Sequence, residues 1–277
     1  MAGAASAAGV FLRGDGSTAW GVSVRGERFE YAATGVYAYN AVRVVAEGVG
    51  WDYVTLFLAV PAMLAASAAI ARGSTRGKLL ALGLFGYFLY QYLEYAAFWA
   101  LGPLFPLFIA LTAASLTGIA VLASGIDLSS IASGGPAGRS GFPFKGMAIL
   151  CIAMSAVLAF MWTGRIAAAL TGGVQGILLG SSTLVVQAFD LGLVVPLLIF
   201  TAVAAIRRLP VAYLLCPVVA VKAIAMGSAI LAMLLSAWSL EGSLELVPFA
   251  IFFAATAASA ALGYRMFAGF RDGSRRP

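Results

Sequence analysis

The chain has no histidine and only two cysteines, and charged residues make up 10% of its 277 positions. Without histidine there is no imidazole base, no Ser–His or Cys–His couple, and none of the usual His-bearing zinc or haem sites. Cys151 and Cys216 lie inside apolar runs (LCIAM and LLCPV), and no CxxC pair exists. They read as buried, inert thiols. The scarcity of charge, set beside 62% hydrophobic residues, excludes a soluble globular domain, which is about a quarter charged. Disordered chains and disulfide scaffolds are excluded by the same balance. There is no phosphate-binding GxxxxGK[ST] loop, and neither a metal nor a cofactor is expected.

Long apolar runs are what the sequence does contain. Seven windows are near or above the ~20 residues that cross a bilayer as a helix: 53–71, 79–100, 104–124, 146–163, 180–206, 211–236 and 247–268. The expected fold class is all-α, an integral membrane bundle of seven transmembrane helices. Arg72, Arg76, Lys78, Arg139, Lys145, Arg207, Arg208, Arg265, Arg271, Arg275 and Arg276 gather at one set of loop ends. By the positive-inside rule that side is cytoplasmic, with the C-terminus on it and the N-terminus outside. The net charge of +6 then belongs to anionic lipid headgroups rather than nucleic acid. Three regions follow: an extracytoplasmic tail or cap over 1–50, a membrane domain over 51–268, and a basic cytoplasmic tail over 269–277. Residues 1–50 do not read as a cleavable signal, since Arg13 and Asp15 interrupt a start that lacks basic residues. Residues 29–50 read as an interfacial helix or cap.

Trp51, Trp99, Trp162 and Trp238 fall near predicted outer span ends, where aromatic rings anchor a bundle at the headgroups. Residues 125–145 read as a spacer, and no sequence repeat is evident. Gly172, Gly176 and Gly180 form a GxxxGxxxG pattern that permits close helix packing, with a re-entrant loop over 171–182 as the other reading.

Ionisable groups inside spans are costly and call for a partner or a purpose. Glu94, Asp190 and Lys222 are the conspicuous ones. Asp190 and Lys222 lie on consecutive antiparallel spans at similar depth, so an ion pair between them is plausible, and Gln187 shares the face of Asp190. Tyr87, Gln91, Glu94 and Phe98 form a helical stripe bordered by Tyr90, with Asp52 and Thr55 at the outer start of the first span. Pro61, Pro196 and Pro217 interrupt three spans. The expected binding set is Glu94, Gln91, Tyr87, Gln187, Asp190 and Lys222, in a polar pocket opening outward beneath the N-terminal tail.

The segments ARGSTRGKLLALGLFGYFLYQYLEYA, DLGLVVPL and YLLCPVVAVKAIAMG resemble a group of uncharacterised bacterial polytopic membrane proteins. The likeness covers residues 51–236 and includes Asp190, Pro196 and Lys222, but not Glu94. It implies a bacterial inner-membrane location and carries no activity. The leading functional expectation is binding or passage of a small solute, with the lipid bilayer as the other partner. One alternative is a structural or sensory subunit whose polar cluster only sets helix packing. Another is a membrane enzyme acting on a lipid-linked substrate. No catalytic residue is expected: retinal chemistry would need a lysine on the last helix, and aspartyl proteolysis a second intramembrane aspartate.

Overall fold

The structure, a computed structural model, describes residues 1–128, 131 and 141–270. Arg139, Arg271, Arg275 and Arg276, used above to orient the bundle, lie outside the described residues, as does part of the 125–145 spacer. Helices dominate. In order they are α1 (Ala2–Phe11), α2 (Val42–Ala71), α3 (Thr75–Phe98), α4 (Phe105–Ser124), α5 (Phe144–Thr171), α6 (Val185–Ile206), α7 (Ala212–Glu241) and α8 (Leu246–Gly269). A short antiparallel hairpin, β1 (Thr18–Val22) and β2 (Arg28–Ala32), stands between α1 and α2.

Among the described residues six helices, α2 and α4 through α8, are long and apolar enough to cross a membrane, and the chain is a multi-pass membrane protein. The 24 residues of α3 also suffice in length. Its tyrosines, Gln91 and Glu94 make it less apolar, and it is buried among α2, α4 and α7. Ser74 caps α3, its hydroxyl accepting the Gly77 amide at 3.1 Å. One end of the bundle holds the starts of α3, α5 and α7 with their arginines and lysines, and is called the basic end. The hairpin marks the opposite end.

Two boundaries differ from expectation. The first long helix starts at Val42, eleven residues before the predicted span, because Arg43 pairs with Glu47 one turn on at 2.9 Å and the charges do not stop the helix. Residues 29–41 form a strand and irregular chain instead of an interfacial helix. Helix α5 likewise runs past residue 163 to Thr171, so Arg165 is helical. Residues 172–184 are not helical, and Gly173, Gly176 and Gly180 have positive φ. The GxxxGxxxG pattern is therefore a turn-forming segment and not a helix-packing stripe.

The backbone also discloses a repeat. In α2 and α6 a single π-helical turn, Thr55–Ala59 and Asp190–Val194, is followed at once by Val-Pro. The Val60 and Val195 amides donate five residues back, to the Thr55 and Asp190 carbonyls. Proline has no N–H and crowds the carbonyl four residues earlier; the wider turn absorbs that without ending the helix. Both helices then end at an arginine, Arg72 or Arg207, and the next residue, Gly73 or Arg208, has positive φ. The constant offset of 135 residues also matches Asp52 with Gln187, Thr55 with Asp190, and Tyr87 with Lys222. The molecule is thus two units of the same sense, α1–α4 and α5–α8, with α1 lying against α2 and α4 as α5 lies against α6 and α8. Identity between the copies is confined to scattered positions such as Leu56/Leu191, Pro61/Pro196 and Ala69/Ala204, which is why composition and pattern conceal it.

Candidate functional site: a polar belt in an elongated cavity

The two units pack differently. Helix α2 lies tightly along α7 through Val42–Val54. At Gly50 an added Cβ would stand 2.5 Å from the Ala232 carbonyl oxygen, so only glycine permits the approach. The counterpart of Gly50 in α6 is Val185, and the counterparts of Val42–Val49 lie in the irregular 172–184 segment. Helix α6 therefore meets α3 mainly through Val185–Phe189, and a cavity of about 630 Å³ remains among α2, α3, α5, α6, α7 and α8.

Four of the six predicted site residues line this cavity: Glu94, Gln187, Asp190 and Lys222. Tyr90 and Trp162 complete the group. The Tyr90 hydroxyl donates to Asp190 Oδ1 at 2.6 Å, and the Trp162 indole N–H donates to Oδ2 at 2.7 Å. The Lys222 ammonium sits over the Tyr90 ring, 4.8 Å from its centre, a cation–π contact. The expected Asp190–Lys222 ion pair is not formed, since no N–O approach within 4.0 Å links them. Tyr90 stands between the two charges. Glu94, 6% exposed, makes no hydrogen bond with another described residue.

Tyr87 and Gln91 face the other way. Thr55 shares a 2.7 Å hydrogen bond with Tyr87 and donates to Gln91 Oε1 at 2.8 Å. Gln91 Nε2 reaches Asp52 Oδ1 at 3.4 Å, and Tyr37 donates to Asp52 Oδ2. Burial and the neighbouring Asp52 hold the Tyr37 phenol well above the usual range, so it stays a donor. This sealed cluster occupies, in the first unit, the positions that Gln187, Asp190 and Lys222 hold in the second. The stripe on α3 divides because its roughly 100° of arc has α2 on one flank and the cavity on the other.

Sequence reasoning missed Trp162 and Arg165. Trp162 was assigned to the headgroup belt, but the longer α5 carries it inside the bundle to Asp190. Trp51 and Trp99 are also buried, while Trp238 is 46% exposed. Arg165 lines the cavity, with one terminal nitrogen donating to the Ile177 carbonyl at 2.9 Å and its buried Nε without a partner. No signal in the sequence could have placed either residue without the true helix end.

At the hairpin end the cavity is lined by residues of the 176–184 segment. There the Glu27 carboxylate accepts the Leu179 and Gly180 amides at 3.2 and 2.9 Å. The hairpin thus backs the cavity wall from outside the bundle. Arg43 pairs with Glu241 at 3.1 Å and Glu245 at 2.5 Å, tying α2 to the α7–α8 connection. Cys151 and Cys216 are free and buried in one apolar cluster. Comparison with known proteins finds no matching family model, no matching curated protein and no matching solved structure.

Proposed function

We propose that the chain is a seven-span protein that binds, and passes, a small solute with an anionic group in this cavity. The hairpin end faces outside and the basic end lies in the bacterial cytoplasm. The observation that carries this reading is Lys222: a cation facing a cavity, its hydrogen-bonding capacity unused, with the nearest carboxylate engaged by Tyr90 and Trp162. Isolated charge in a low-dielectric interior is costly, and an anionic ligand would complete it. During gating Asp190 would exchange its partners Tyr90 and Trp162 for Lys222. Helix α3 is the seventh span, its polar groups screened from lipid by α2, α4 and α7.

A purely structural polar cluster is favoured by one observation, the sealed Tyr37–Asp52–Gln91–Thr55–Tyr87 network. That network lies on the opposite flank of α3 and leaves Lys222 unexplained. The test is binding of organic anions, benzoate among them, by thermal shift, and their uptake by proteoliposomes. Lys222→Met should weaken binding roughly tenfold or more, the worth of a charge-assisted contact, and Lys222→Arg should retain it. Equal binding and flux in wild type and Lys222→Met would refute the reading.

A further inference from the structure

The cavity is long and its chemistry is ordered along its length. On α5 its lining extends from Arg165 to Met147, about 27 Å at 1.5 Å per residue. At the hairpin end the lining includes Arg43, paired with Glu47 and Glu245, and Arg165, which donates to the Ile177 carbonyl. On α3, one turn before Phe98, is Glu94, a carboxyl that no other described residue hydrogen-bonds. One turn deeper, roughly 5 Å along the axis, is Tyr90 with the Lys222 ammonium over its ring. Below Trp162 the walls are apolar for about 22 Å, formed by Leu158, Met154, Leu150, Met147, Leu197 and Val219. The hydroxyls of Thr256 and Ser259 in this stretch are already used, each donating at 2.7 Å to a carbonyl of its own helix. Water gains few hydrogen bonds in such a slot, and methionines adapt to an apolar chain of variable shape.

We infer that the ligand is a zwitterionic amphiphile: a protonated amine at Glu94, an anionic phosphate at Lys222, and an apolar tail in the slot below. The order of groups along the cavity matches the order of amine, phosphate and chain in a phosphoethanolamine lipid. Glu94 and Lys222, which no hydrogen bond or salt bridge engages among the described residues, each meet a complement, and the tail excludes water from the slot. This rests on the anion-binding reading above and adds the amine and the tail.

The test uses the full chain in nanodiscs, with binding read by native mass spectrometry and tryptophan fluorescence. The probes are lysophosphatidylethanolamine, lysophosphatidic acid, which lacks the amine, hexadecylamine, which lacks the phosphate, and benzoate. The first should bind roughly tenfold tighter than either lipid with half the head. Lys222→Met should abolish its advantage over hexadecylamine alone, and Glu94→Gln its advantage over lysophosphatidic acid alone. Such paired, selective losses do not follow from misfolding. Leu158→Trp, filling the slot, should weaken all three lipids and spare benzoate. Displacement of the lysolipid by diacyl phosphatidylethanolamine in the disc identifies the bilayer as the source; no displacement identifies the free single-chain lipid. Three lipids of equal affinity, or benzoate as tight as the lysolipid, would overturn this inference while leaving the anion-site reading standing. Failure of every probe, benzoate included, would remove both.

Discussion

Tyr90 joins two charges that would otherwise meet directly. Its hydroxyl fixes one oxygen of Asp190 while its ring carries Lys222. A double-mutant cycle of Tyr90→Phe and Asp190→Asn should give a coupling of about 1–2 kcal/mol, measured by thermal unfolding in detergent. A coupling near zero would mean that the pair is already hydrated. On the other flank, Thr55 supplies one hydroxyl to both Tyr87 and Gln91. Its counterpart in the second unit is Asp190, so one position serves packing in one copy and a cavity in the other.

Helices α2 and α6 share a backbone device but pack differently. Both bend through a π turn ahead of Val-Pro, yet α2 closes on α7 and α6 stands away from α3. Gly50 allows the first contact, whereas valine stands at the equivalent position, Val185, at the start of α6. Gly50→Val should therefore destabilise the protein by roughly 1–3 kcal/mol through overpacking against Ala232. Val185→Gly should cost less, because Val185 is only half-buried at the first turn of α6. Denaturation midpoints of the two variants test this, and an undisturbed Gly50→Val protein would show that α2 does not need the close approach.

At the scale of the molecule, two units of the same sense place their arginine-capped turns at one end and the hairpin at the other. The predicted orientation puts Val24, 87% exposed in the hairpin connection, outside the cell. In a background of Cys151→Ala and Cys216→Ala, Val24→Cys should react with a membrane-impermeant maleimide on intact cells. Arg207→Cys at the basic end should react only after permeabilisation. The reverse pattern would invert the bundle.

Composition and run length were enough to establish a multi-pass helical membrane protein, because the bilayer leaves helices as the state that satisfies the backbone of long apolar runs. Costly intramembrane charge likewise marked Glu94, Asp190 and Lys222 as residues needing a partner or purpose. What the linear pattern could not decide was which flank of α3 each polar residue would face. Tyr87 and Gln91 share an arc with Glu94 and were grouped with it; the packing of α2 drew them into a sealed network. Span ends were equally hidden, since Arg43 and Glu47 neutralise each other across one turn and Arg165 finds the Ile177 carbonyl. The repeat escaped notice because its copies share backbone geometry more than side chains. The cavity itself follows from tertiary packing alone: the later start of α6 leaves no helix where the first turns of α2 close on α7.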